Sequence, residues 1–133
     1  MSHYVNITTA IKNQKALIKG LARLGKDQVE VYSVPQSLYG YKGDVRPQKA
    51  HVIIRRKHVG GVSNDIGFER MSNGFYVAHI SEYDHGQYGN EWQGKLIAYY
   101  GVELAKMELE SNDMEYTESM DKEGRPHLMV CNL

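Results

Sequence analysis

Apolar and polar residues alternate near the start of the chain and then change to a helical spacing. Residues 4–11 place Val, Ile and Ile on one side of an extended segment, which predicts a strand. Over residues 14–24 leucines recur at steps of four and three, which predicts an amphipathic helix. Asn13 is suited to cap its start, and Gly25 to adopt the left-handed conformation at its end.

Four further strands are predicted in the middle of the chain. Pro35 ends the first of them, because proline cannot donate a hydrogen bond to a strand ladder. The stretch 35–48 has two glycines and two prolines, which is typical of a long loop. The predicted strands cover residues 29–34, 50–57, 65–69 and 75–81.

A long helix and a hairpin are predicted for the last third of the chain. Asn90 is a candidate cap for a helix over residues 90–109, which carries one apolar stripe. Segments 114–119 and 127–131 then predict a hairpin, with Gly124 at the bulge position of its turn. The stripe of the helix consists of Trp92, Leu96, Tyr99, Tyr100, Leu104 and Met107.

The predicted element order is β-α-β-β-β-β-α-β-β. Short turns between consecutive strands favour antiparallel pairing, so we expect an α+β two-layer domain with both helices on one face of a mainly antiparallel sheet. A length of 133 residues predicts a single domain over 1–133.

Composition narrows the class of protein. Apolar residues make up 41% and charged residues 24% of the chain, as in globular proteins, and no apolar run approaches the about 20 residues of a membrane helix. No secretory signal is visible, and a single cysteine, Cys131, cannot form an internal disulfide. We therefore expect a cytoplasmic protein that does not insert into a membrane.

The zero net charge hides an asymmetry between the two halves. Residues 1–70 carry 12 basic and 5 acidic side chains, and residues 71–133 carry 4 and 11. The charges could pair across one surface, form a basic patch for an anion, or promote self-association into a homo-oligomer.

The strongest candidate for function is a site for an anion. The basic run Arg55-Arg56-Lys57-His58 lies at the end of the strand 50–57, and further basic and tyrosine residues precede that strand. Arginine forks suit phosphate and aromatic rings suit nucleobases, although neighbouring strand residues point to opposite faces, so only one arginine is expected in a given pocket. The alternative is a solvated edge strand protected by charge. The candidate ligand-binding residues are Tyr39, Tyr41, Lys42, Arg46, His51, Arg55, Arg56 and Trp92.

Other chemistry is less well supported. His79, Glu82, Asp84 and His85 lie within seven residues and could hold a divalent metal, but they lack helical spacing. His79-Ile80-Ser81 matches only half of the paired signature of two-histidine phosphoesterases. A Cu(II) site at Met1-Ser2-His3 would be lost if Met1 is removed. We therefore predict no catalytic residues, no metal and no cofactor.

Several short motifs occur in a familiar order. They are Met1-Ser2-His3, Ala22–Gly25, Gly40–Gly43, Asp65–Phe68 and Tyr99-Tyr100. With them the chain resembles the plastid and cyanobacterial family of conserved hypothetical proteins, the domain of unknown function numbered twelve fifty-seven, which also occurs in phages. The resemblance spans nearly the whole chain and implies a small single-domain protein without assigned catalytic residues.

The sequence thus predicts a non-enzymatic binding module for a small phosphorylated or nucleotide-like anion, used by a phage to sequester its ligand if the gene is viral. An acidic protein surface is a second possible partner for the same cations. The alternative function is a protein-interaction or assembly factor that acts as an oligomer or docks on a larger complex. Extended nucleic acid is not expected as a partner, because its binders usually carry a basic excess.

Overall fold

The computed structural model describes residues 3–131, in which it has two α-helices and seven strands. Met1 and Ser2, on which the N-terminal copper hypothesis depends, lie outside the described residues. The elements are β1 (Tyr4–Thr8), α1 (Gln14–Arg23), β2 (Glu30–Tyr39), β3 (Val45–Ile54), β4 (Ile66–Arg70), β5 (Tyr76–Ser81), α2 (Asn90–Ser111), β6 (Glu115–Met120) and β7 (Pro126–Cys131).

Five strands form an antiparallel sheet in the order β1-β5-β4-β3-β2, and β6 and β7 form a separate two-stranded sheet. Both helices pack on one face of the large sheet. The main core joins Leu17 and Leu21 of α1 and Leu96 of α2 to Phe68 and Ile80 of the sheet. The predicted α+β fold and its element order are confirmed.

Local signals define α1 as predicted. The Asn13 side chain accepts a hydrogen bond from the Ala16 amide at 2.9 Å, and Gly25 follows the helix with φ +81°. A Cβ at Gly20 would lie 3.2 Å from the backbone nitrogen of Tyr100, so glycine allows α1 and α2 to pack closely.

The long loop predicted for residues 35–48 is wrong, because this segment extends β2 and β3 into one hairpin. In its turn the Gly40 amide donates to the Asp44 carbonyl and the Gly43 amide donates to the Gly40 carbonyl, and Gly43 has φ +80°. Pro35 and Pro47 lie where the register between β2 and β3 shifts. Bulges leave backbone groups unpaired, so proline can occupy a strand there.

The β2–β3 hairpin also covers part of the second face of the sheet, the face opposite the helices. Leu38, Ala50 and Ile53 form a second buried cluster, against which Tyr4 of β1 packs. A Cβ at Gly67 in β4 would lie only 2.5 Å from the Cβ of Ala50. Glycine at this position therefore lets the hairpin lie close to the sheet.

Two predictions about α2 need correction. Gly89 occupies the cap position, without a side-chain hydrogen bond, and Asn90 is the first helical residue. Leu104, predicted to face the core, is 36% exposed. No helix in residues 3–131 is long and apolar enough to cross a lipid bilayer.

Candidate functional site

A surface cleft of about 470 Å³ lies where β3 ends. β3 stops at Ile54 and the chain enters a short 3-10 turn, Arg56–His58, so Arg55 and Arg56 lie just beyond the strand. The cleft combines this turn with the glycines before β4 and the end of the β2–β3 hairpin. It is lined by Tyr39, Gly43, Arg55, Arg56, Lys57, Gly60, Gly61 and Asp65.

Asp65 is buried at the cleft, with 1% of its surface exposed, and it accepts hydrogen bonds from three other lining residues. Its Oδ2 accepts hydrogen bonds from the Tyr39 amide at 2.7 Å and from Arg55 Nη1 at 2.8 Å. Its Oδ1 accepts one from the Arg56 amide at 2.7 Å. Both carboxylate oxygens are therefore occupied by the protein itself, and the negative charge is compensated inside the fold.

Arg55 is held on several sides. Besides Asp65 it donates to Glu30 Oε1 at 2.9 Å and to the carbonyl of Ser37 at 3.1 Å, and its guanidinium lies 5.2 Å from the ring centroid of Tyr39. Burial works to lower the pKa of Arg55, but its hydrogen bonds to Asp65 and Glu30 outweigh burial and raise it. Its side chain is only 19% exposed, so replacing Arg55 would break these contacts as well as remove a charge.

Arg56 and Lys57 are the exposed cations of the cleft. Arg56 donates from Nη1 to the carbonyl of Tyr41, and its Nη2 would lie 3.5 Å from a Cβ at Gly43. The expectation that Arg55 and Arg56 serve opposite faces is wrong, since both line this cleft. The strand alternation on which it rested ends at Ile54.

The hairpin turn carries part of the remaining predicted set. Tyr41 is 40% exposed, and Lys42 Nζ lies 5.5 Å from its ring. Neither side chain lines the cleft, although the Tyr41 carbonyl positions Arg56. Arg46 forms an ion pair with Asp44 at 3.5 Å, lies 5.5 Å from the ring of Tyr4 and does not line the cleft.

His51 and Trp92 lie apart from this cleft. The Nδ1 of His51 accepts a hydrogen bond from the Arg70 amide at 2.9 Å, and burial lowers the pKa of His51. Trp92 packs edge-to-face on Tyr88 and lines a different cavity at the start of α2. None of the residues that line the cleft comes from α2.

A buried polar network connects the cleft to the segment before α2. The Tyr41 amide donates to Asn64 Oδ1 at 3.0 Å, and Asn64 Nδ2 donates to Asp84 Oδ2 at 3.2 Å. The Ser81 hydroxyl donates to the same Asp84 oxygen at 2.7 Å. The network holds the hairpin turn against the end of β5 and so stabilises the wall of the cleft.

The four residues considered for a metal do not converge. His79 lies between Asn6 and Glu69, with ring-nitrogen contacts of 2.7 and 2.8 Å, whereas Asp84 belongs to the network with Ser81. Within residues 3–131 no group of three or more histidine, cysteine, aspartate or glutamate side chains is arranged to hold a metal ion.

Sequence reasoning overlooked part of the lining. Lys57 belongs to the basic run that suggests the anion site but is not among the eight predicted ligand-binding residues. Asp65 is predicted as part of a strand and of the Asp65–Phe68 motif, without a role in the site. Gly60-Gly61 lies between the predicted strands 50–57 and 65–69, and the predicted site does not include it although it lines the cleft. A basic run, a glycine pair and an aspartate within about ten residues are a signal that could have found the cleft.

Comparison of the chain with family models, with curated proteins and with solved structures gives no match. The resemblance to the family of conserved hypothetical proteins therefore stays a prediction, and the function has to be argued from the cleft.

Proposed function

We propose that this protein is a non-enzymatic binding module whose cleft at Arg55, Arg56 and Lys57 holds a small phosphorylated anion. The observation that carries the proposal is the charge balance of the cleft. Three cations line it, and its one carboxylate, on Asp65, is already bonded through both oxygens. An added anion would meet exposed positive charge without meeting an uncompensated negative charge.

The cations have different roles in this proposal. Arg55 is paired with Asp65 and Glu30, so it shapes the wall and adds little net charge. Arg56 has one hydrogen bond to the Tyr41 carbonyl among the five N–H groups of its guanidinium and can turn others toward a phosphate. Lys57 adds a second exposed charge next to it.

The rest of the lining suits a ligand that combines phosphate with a flat group. Gly43, Gly60 and Gly61 have no side chains, so a ligand can approach the backbone closely. Tyr39 is 37% exposed, and the side of its ring away from Arg55 offers a surface on which a nucleobase can stack. No histidine, cysteine or serine lines the cleft, which favours binding over catalysis.

A concave site of this size favours a small molecule over the acidic surface of a partner protein. The protein would act in the cytoplasm by sequestering its ligand. If the gene is carried by a phage, the ligand would be a phosphorylated molecule of the host cell.

The test is a titration of the full chain with inorganic phosphate and with a nucleoside monophosphate, followed by thermal unfolding and by NMR of backbone amides. A ligand at 100 times its Kd should stabilise the protein by about 2.7 kcal/mol. We expect the nucleotide to bind more tightly than phosphate, with the largest amide shifts at Gly60 and Gly61.

The informative variant is Arg56→Gln/Lys57→Gln, which removes the two exposed charges and keeps Arg55. Its control, Lys15→Gln/Lys19→Gln, makes the same charge change on the exposed side of α1. We expect binding to fall at least about tenfold in the first variant only, a loss of about 1.4 kcal/mol. No binding of either probe, or equal binding by both variants, would refute the proposal.

A further inference from the structure

The outward side of α2 is apolar where a helix on a protein surface is usually charged. Gly94, Ile97, Gly101 and Leu104 recur at steps of three, four and three, so they share one side of the helix. We call these four residues the free face. Ile97 and Leu104 are 39% and 36% exposed, and nothing lies within 4 Å of a Cβ built on either glycine.

Two other sides of α2 contact the rest of the fold. Leu96 and Tyr100 are buried in the main core. Lys106 pairs with Glu118 of the β6–β7 hairpin at 2.7 Å, and Glu103 lies 3.6 Å from Arg23 of α1. The remaining surface of α2 includes a charged part at Lys95 and the apolar free face, whose Gly94 also borders a groove shared with the turn of the β6–β7 hairpin.

Helix formation does not explain the residues of the free face. Exposed glycine is one of the least favourable residues inside a helix, and exposed isoleucine and leucine cost solubility without adding stability. Small residues beside large apolar ones are instead what two helices need in order to pack closely. The pattern therefore indicates a contact that the single chain does not make.

The surface next to the free face is suited to the same contact. Ile97 borders a groove that is also lined by Thr8, Thr9 and Ala10, at the open side of β1. β1 is an edge strand, it pairs with β5 in regular register, and it contains neither a charged residue nor a proline. Natural edge strands usually carry such protection, and β2 at the opposite edge has Pro35 and two register shifts.

We propose that the free face is a dimer interface, on which α2 of a second copy of this chain packs antiparallel across a two-fold axis. The pattern is complementary to itself, since Ile97 and Leu104 are placed symmetrically about the helix midpoint between Tyr100 and Gly101. An antiparallel copy brings each Ile97 opposite Leu104 of the other chain, while the two Gly101 residues permit close approach at the crossing. The four residues carry no charge. The exposed Glu108, one turn beyond Leu104 on the same side, would lie opposite Gln93 of the other chain, so no two like charges face each other across the contact.

The size of this surface indicates a reversible dimer. The free face covers the central half of α2, and an antiparallel pair that packs along all 22 residues has a contact about 33 Å long and about 10 Å wide. With the adjoining edge of β1, such a contact would bury about 500 Å² per chain. A total near 1,000 Å² is at the lower limit for a specific interface. We therefore expect dimers at micromolar concentrations that dissociate on dilution.

The test is sedimentation velocity on the full chain from about 1 to 500 µM, a range that brackets micromolar dissociation constants. The mass should rise from 15.2 kDa toward twice that value. Added salt to about 1 M should not dissociate an apolar contact, whereas a dimer held by the opposite charges of the two halves would come apart.

Charge substitutions test the antiparallel pairing directly. Ile97→Glu and Leu104→Lys should each weaken dimerisation at least about tenfold. The double variant Ile97→Glu/Leu104→Lys should recover it, because each glutamate then faces a lysine of the other chain. Within one chain the two positions are about 10 Å apart along the helix and do not form an intrahelical pair.

Lys95→Glu is the control, because it changes a 60% exposed residue on another side of the same helix and should leave the dimer intact. Circular dichroism verifies that every variant keeps its helix content. A chain that stays monomeric throughout, a dimer indifferent to both single substitutions, or a double variant no better than the singles would each overturn the proposal.

Discussion

The two hairpins of this protein share a local design and differ in how they are held. Each has an antiparallel pair of strands and a turn glycine with positive φ, +80° at Gly43 and +77° at Gly124. The β2–β3 hairpin belongs to the central sheet and places Leu38, Ala50 and Ile53 in a fully buried cluster. In the β6–β7 hairpin no residue is buried, and Glu118 ties the hairpin to the two helices through ion pairs with Arg23 and Lys106.

This difference shows that a hairpin pattern does not determine how strongly the hairpin is coupled to the rest of the fold. Ten-residue strands that bend over the sheet exclude water from their contacts, so their stability depends on packing and buried hydrogen bonds. Six-residue strands attached through ion pairs depend on charge. We expect β6–β7 to open at a lower free energy than β2–β3.

The largest expected effect is at Asp65. Asp65→Ala leaves Arg55 without its buried partner and leaves the amides of Tyr39 and Arg56 without an acceptor, so stability should fall by about 3–5 kcal/mol. Urea denaturation measures this loss.

Asp121→Ala is the matched variant in the other hairpin. Asp121 also accepts hydrogen bonds from two amides and from an arginine, Arg125, but at the protein surface. Replacing Asp121 should lower the free energy of unfolding far less than replacing Asp65. Equal losses for the two variants would contradict the comparison between the hairpins.

A smaller effect is expected for Gly67→Ala. The added methyl group would lie 2.5 Å from the Cβ of Ala50 and 2.8 Å from Cδ2 of Leu38, so the hairpin has to move away from the sheet. Overpacking of this kind costs about 1–3 kcal/mol. Thermal unfolding measures it, and Gly61→Ala, where nothing lies within 4 Å, is the control that should keep the wild-type Tm within error.

The smallest effect concerns Glu118 and pH. Hydrogen bonds from Arg23 and Lys106 lower the pKa of Glu118 from 4.5 to about 2. Because the folded-state pKa is the lower one, the stabilisation is present above pH 4.5 and is lost as the pH falls toward 2.

As the pH falls from 4.5 toward 2, the protection of the β7 amides against hydrogen exchange should therefore decrease more than the protection of the β4 amides. Glu118→Gln should remove the pH-dependent part, at a cost of about 1 kcal/mol or less at neutral pH. A wild-type pH profile that the substitution does not change would assign the acid sensitivity to another group.

Sequence reasoning predicted the elements better than the site. The cap at Asn13, the left-handed Gly25 and the turn at Gly124 are local features that a few neighbouring residues determine, and all three are confirmed. The strands through Pro35 and Pro47 were missed because a proline is compatible with a strand only where a bulge occurs, and bulges depend on the partner strand.

The sequence predicted the candidate site only in part, because its basic run is local whereas the partners of its cations come from other strands. The basic run at Arg55 and Arg56 is visible in the sequence, and the structure places both at one cleft. The charge of Arg55 is compensated by Asp65, just before β4, and by Glu30 in β2, and only the fold brings these carboxylates to it. His51 and Trp92 belong to the predicted set, but the fold places both outside the cleft.

The sequence by itself determined the order of helices and strands, since hydrophobic periodicity and turn residues act over a few positions. The tertiary structure alone decided which surfaces are covered. The spacing that links Leu104 to the other apolar residues of α2 shows that they lie near one another on the helix, but not that Leu96 meets the sheet while Leu104 faces outward. Burial depends on how many neighbours surround a helix, and the chain places those neighbours from residues far apart in sequence.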